Sequence, residues 1–166
     1  MSGKDARVAG RNRRDRLIQE EIHDPYMARS KPPEPASCPQ CEAVFSEGRW
    51  QWLPEVPQGA EEELCPACQR IRDRVPAGLL YLSGAFFAEH RDEIMNLVDN
   101  KVESQKSQHP MKRLMGVAEQ EDGVEISFTD VHLPRGVGEA IERAYEGELD
   151  IHYTDEAGIV RVYWQR

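Results

Sequence analysis

A chain of 166 residues with 39% apolar and 31% charged side chains can bury one core, or one core and a small metal-stapled module, and is too apolar to be disordered throughout. No apolar run approaches the ~20 residues of a bilayer span, and MSGKDARVAGRNRRDR has no apolar stretch behind its charges. Neither a membrane helix nor a signal peptide is therefore predicted, and the expected location is cytoplasmic.

The net charge of −9 is unevenly laid out. Residues 1–19 carry six basic side chains against Asp5 and Asp15, a net of +4, which leaves −13 for the remainder. An acidic body argues against a general nucleic-acid-binding surface, whereas the basic arm permits a local anchor on a polyanion. Arg11, Arg13, Arg14 and Arg16 lie in RNRRDRLIQEEIH, which reads as a short helix from about Arg11 to His23, stopped before Asp24-Pro25. The next stretch, DPYMARSKPPEPAS, has four prolines in fourteen residues and predicts an extended, semi-rigid tether. Residues 1–37 thus form a basic arm and tether, 38–76 a cysteine module, and 77–166 an α+β domain.

All four cysteines fall in two C-P-x-C frames, CPQC at 38–41 and CPAC at 65–68, separated by twenty-three residues. Each C-x2-C turns the chain so that both sulfurs point at one centre, and two such knuckles complete a tetrahedron. Cys38, Cys41, Cys65 and Cys68 are the predicted ligands of one Zn²⁺ ion. A rubredoxin-like iron site uses the same ligands, and disulfides or redox pairs are the remaining options. Four cysteine ligands leave no open coordination position, so such a metal holds structure. Between the knuckles, Phe45, Trp50 and Trp52 either present a stacking surface for bases or cover the metal. After the second knuckle, Arg70, Arg72 and Arg74 lie on a short basic helix that either docks on phosphate or merely keeps the helix soluble.

From residue 77 the elements follow in turn. GLLYLSG (78–84) reads as a buried strand, and 86–108 as one helix with Phe87, Ile94, Leu97, Val98 and Val102 on its apolar stripe. RLMGVAEQ and VEISFTD flank Glu121-Asp122-Gly123 as a hairpin. LPRGVGEAIERAYEG (133–147) reads as a helix started by Asp130 and Pro134 and ended by Gly147, with Val137, Ala140, Ile141, Ala144 and Tyr145 facing inward. ELDIHYT and IVRVYWQR form a second hairpin. The order β-α-β-β-α-β-β predicts an antiparallel sheet with two helices packed on one face.

Sequence signals for catalysis are missing. RGVGEA lacks the Lys-Ser/Thr of a phosphate loop, and neither HExxH nor GxSxG occurs. His23, His90, His109, His132 and His152 are dispersed, and Asp130 and Asp150 read as a helix cap and a strand-face charge.

CPQC, ELCPACQRIRD, FTDVHLPRGVGEAIERAYEGEL and VRVYWQR, in that order, resemble small bacterial zinc-ribbon proteins. More distantly they resemble the large-ribosomal-subunit export adaptor family of archaea and eukaryotes. The adaptor has a cysteine-rich zinc module followed by an α/β region, whose motifs correspond here to Thr129-Asp130, Ala144-Tyr145, Gly147, Arg161-Val162 and Trp164. It differs in having more cysteines and further domains. The resemblance implies a non-enzymatic factor of the large ribosomal subunit or the subunit interface, occupying functional sites there, with a link to stress or hibernation. Ribosomal RNA would be met by Arg11, Arg13, Arg14 and Arg16, with Arg70, Arg72 and Arg74 as a second group, and with neither membrane binding nor DNA specificity. The alternative is an acidic protein–protein adaptor with a purely structural zinc module.

Overall fold

The computed structural model describes Tyr26, residues 31–153 and residues 158–166. The basic arm, with the helix expected at 11–23, lies outside the described residues, as does most of the turn expected between the last two strands.

Two sheets organise the described chain. The first has strand order β3-β2-β1-β4, from β1 (Ala36–Ser37), β2 (Val44–Ser46), β3 (Arg49–Gln51) and β4 (Glu61–Glu62). Glu47 and Gly48 link β2 to β3 with φ of 54° and 76°, the double positive φ that closes a two-residue hairpin with the right twist. β1 pairs antiparallel with β2 and parallel with β4. The last two residues of the expected tether are therefore a strand, because Ala36 is fully buried and its partners on both sides hold it extended. Helix α1 (Pro66–Asp73) follows.

The second sheet has order β6-β7-β5-β9-β8, from β5 (Gly78–Ser83), β6 (Leu114–Gln120), β7 (Gly123–Phe128), β8 (Glu148–Tyr153) and β9 (Val160–Gln165). Helices α2 (Ala85–Glu89), α3 (Arg91–Gln108) and α4 (Leu133–Tyr145) complete the body. This mixed α+β architecture departs from the expected antiparallel sheet at one place: β5 pairs with β9 in parallel. The cause is burial. β5 is buried along most of its length and occupies the centre, so it needs a partner on each edge. Of the two strands after α4, β9 carries Val160, Val162 and Trp164, all buried, whereas β8 offers only the half-buried Leu149 and Ile151. The more apolar strand takes the inner position, and its direction makes that pairing parallel.

The helix expected over 86–108 is two helices. His90 sits between them at φ −115°, ψ 22°, its ring stacked on Phe86 at 4.0 Å. Ile94, Val98 and Val102 face the core as the stripe requires. On α4, Val137 and Ile141 are fully buried and Ala144 is exposed. Gly138 allows α4 close to the sheet, since a Cβ there would lie 2.9 Å from both Leu149 and Val162 side chains. Asp130 caps this helix as expected, its carboxylate accepting from the backbone N–H groups of His132 and Leu133, both at 2.8 Å.

Candidate metal centre

Each cysteine is positioned by its own short piece of backbone. The parallel pairing of β1 with β4 carries Cys38 and Cys65 forward side by side, and Glu63 N–H donates to Ser37 C=O at 3.0 Å just before them. Cys38 then opens a tight turn: its N–H donates to Ala43 C=O at 2.8 Å and its C=O accepts from Glu42 N–H at 2.9 Å. Glu42 takes a φ of 67° to close it, which swings Cys41 back towards Cys38. The second knuckle is the start of α1. Cys65 is its N-cap, Pro66 fills the first turn where no N–H donor is needed, and Cys68 N–H donates to the Cys65 sulfur at 3.4 Å. Cys65 N–H in turn reaches the Cys38 sulfur at 3.4 Å.

The four Sγ atoms all lie within 4.8 Å of one another, and Cys41 and Cys65 are 3.7 Å apart. A regular tetrahedron with bonds of about 2.3 Å places its sulfurs about 3.8 Å apart, so the donor set fits a four-coordinate thiophilic metal. All four are free thiols. Cys38, Cys65 and Cys68 are buried, Cys41 is half-buried, and Trp50, Leu64 and Met111 pack around them. No further His, Asp or Glu joins the group among the described residues.

One residue at the centre escaped the sequence reading. Arg113, 8% exposed, lies just before β6 and extends its guanidinium onto the cluster. Its Nη1 donates to the Cys68 sulfur at 3.3 Å, and its Nη2 donates to Cys41 at 3.1 Å and to Cys65 at 3.2 Å. A guanidinium touching three sulfurs is suited to thiolates. With a divalent metal, four thiolates carry two negative charges in excess, and charge-assisted hydrogen bonds offset part of the cost of burying them.

The thiols differ in proton affinity. The hydrogen bond with Cys65 holds the Cys41 thiol down to about 4, with Arg113 adding to the effect. Cys65 is pushed up by that same bond and by burial, and burial pushes Cys68 up as well. A metal ion bound by these sulfurs would displace their protons, so its affinity would rise with pH. Burial opposes the charge on Arg113, but its hydrogen bond to Cys68 and the neighbouring sulfurs outweigh this and raise its pKa above the ordinary arginine value.

The other expected contact residues are placed differently. Arg70 is 7% exposed, donates to Val75 C=O at 3.1 Å and lies 4.6 Å over the Tyr26 ring, whose hydroxyl donates to Asp73. Arg72 pairs with Asp73 at 2.8 Å, and Arg74 is the left-handed residue that ends α1. Trp50 meets Phe45 edge-on at 5.5 Å and covers the cysteines, while Trp52 donates its indole N–H to Lys106 C=O at 2.7 Å, tying the module to α3. These aromatics cover and dock. Arg11, Arg13, Arg14 and Arg16 lie outside the described residues. Among the described residues, no helix is long and apolar enough to cross a membrane.

Comparison of the chain with protein families, with curated proteins and with solved structures found no match.

Proposed function

We propose that Cys38, Cys41, Cys65 and Cys68 hold one structural Zn²⁺ in a ribbon-like module, and that the protein is a non-enzymatic, ribosome-associated factor whose basic arm docks on ribosomal RNA. The observation that carries the zinc reading is the closed four-sulfur centre capped by Arg113, which spends every ligand position on protein. A metal so enclosed supports a surface and performs no chemistry, which directs the functional reading to binding. Ribosome association then rests on the charge contrast of +4 in residues 1–19 against −13 elsewhere, together with the order of motifs described above. Occupying functional sites on the large subunit or the subunit interface, and keeping subunits idle under stress, is the role that follows.

A second reading has its own support. Arg70 is buried and bonded to Val75 C=O, and the exposed Arg72 is partly neutralised by the adjacent Asp73, so the arginines after the second knuckle offer little net positive surface. That favours an acidic protein–protein adaptor with a purely structural zinc.

Sedimentation with ribosomes at two salt concentrations separates the two. Replacing Arg11, Arg13, Arg14 and Arg16 together by Gln should flatten the dependence of log affinity on log salt by roughly three, at ~0.7–0.9 per lost phosphate contact. Undiminished co-sedimentation of the variant at moderate salt would rule out the arm as the anchor. The purified protein is expected to be colourless, since a ferric four-thiolate site is red.

A further inference from the structure

Burying a doubly charged metal–thiolate group is costly unless donors meet its sulfurs, and the module supplies only part of that demand itself. Its own donors are backbone N–H groups, Cys65 onto the Cys38 sulfur and Cys68 onto the Cys65 sulfur, each at 3.4 Å. The charged donor, Arg113, is rooted elsewhere. Its N–H donates to Thr129 Oγ1 at 2.9 Å, its C=O accepts from Thr129 N–H at 2.9 Å, and its Nε donates to Pro110 C=O at 2.8 Å. Thr129 directly follows β7, and its hydroxyl donates in turn to Met111 C=O at 2.7 Å. One buried residue therefore joins three of the four sulfurs to the base of the β6–β7 pair.

We propose that Arg113 is a positioning residue that couples metal occupancy to the packing of the α+β body. The metal–thiolate group holds the guanidinium at the foot of β6, and the guanidinium holds that group against the body. This rests on the reading of the four cysteines as a metal site. Removing the metal releases the sulfurs from a common centre and so removes the surface that the guanidinium fork fits. The effect is then felt at residues 109–117 and 127–131, none of which is a metal ligand. Coupling of this kind is reciprocal, so whatever the metal does for the position of Arg113, Arg113 does for the retention of metal. Lysine is a poor substitute, being a point charge without the planar fork that meets several acceptors at once.

The test compares wild type, Arg113→Met and Arg113→Lys, each zinc-loaded and zinc-stripped. The readouts are zinc per chain, the rate of zinc release to a chelator, and amide exchange in peptides 109–117 and 127–131, with 137–145 of α4 as the internal reference. In wild type, stripping should speed exchange at 109–117 by about ten-fold or more while α4 stays protected. Arg113→Met should still bind zinc but release it about ten-fold faster, should exchange fast at 109–117 with zinc bound, and should change little on stripping. Arg113→Lys should lie nearer to Met than to wild type. Wild-type release rates in Arg113→Met, or a wild-type 109–117 segment indifferent to stripping, would overturn the coupling. Should Arg113→Met fail to fold, the wild-type exchange comparison and the lysine variant decide it alone. A wild-type protein without metal would overturn the metal reading itself, and the first measurement reports that separately.

Discussion

In the body, fifteen buried side chains from β5, β7 and β9 and from three helices meet in one cluster that includes Trp164, Phe87 and Phe128. In the module, strands of two or three residues surround a cluster whose buried members are Cys38, Cys65, Ala67 and Cys68. The first region buries enough apolar surface to fold by hydrophobic association, at ~1.5–3 kcal/mol for each large side chain taken out of water. The second does not, and its sulfurs lie where a metal would stand in for the missing hydrophobic contacts. The difference teaches that two regions of one chain can draw their stability from different chemistry, and that each should fail to a different insult.

The largest expected effect breaks the module alone. Cys65→Ser removes a fully buried sulfur of the proposed metal site that also caps α1. Structural zinc contributes on the order of 10 kcal/mol of folding free energy, far more than the small cluster here could replace. The variant should lose zinc by elemental analysis and lose amide protection over 36–73. The body should retain its cooperative melt. Collapse of both regions at the same temperature would show that they fold as one.

Next comes a change confined to the body. Trp164 is fully buried on β9 and donates its indole N–H to Glu146 C=O at 2.7 Å. Trp164→Ala should cost about 3–5 kcal/mol, from the cavity and the orphaned carbonyl together. A lower thermal midpoint with zinc still at one per chain is the expected result. Zinc lost in step with the lowered midpoint would contradict the separation of the two regions.

The smallest effect sharpens the seam between them. Trp52→Phe keeps the aromatic surface and deletes the bond to Lys106 C=O. It should cost about 0.5–1.5 kcal/mol and leave zinc content unchanged. Faster exchange near the end of α3 is the signature to look for, and an unchanged α3 would mean that the indole contact carries nothing.

The features legible in the sequence were those with short-range causes. C-P-x-C names its chemistry within four residues, and the structure brings all four sulfurs together as that spacing requires. GLLYLS announces a buried strand, the stripe of Ile94, Val98 and Val102 a helix face, and Asp130 a cap, because each follows from periodicity or from one local hydrogen bond. Where the cause was a competition between distant segments, local reading failed. Nothing in VRVYWQ taken alone says that β9 will displace β8 from the edge of β5; that follows only from comparing how much each strand buries. The short helix before His90 is likewise tied to a distant segment, the N–H groups of Phe86 and Phe87 both donating to Arg166 C=O just after β9.

Arg113 marks the same boundary at the candidate site. It is 45 residues from Cys68, at the start of RLMGVAEQ, where the pattern reads only as one arm of a hairpin. Four cysteines at this spacing determined by themselves the donor set and the need for compensating positive charge, because both are properties of the sulfurs. Which cation answers that need was decided by the tertiary structure alone. Thr129, after β7, and the carbonyl of Pro110 hold Arg113 at the foot of β6, and only the docking of the module on the body brings the thiols within reach of its guanidinium.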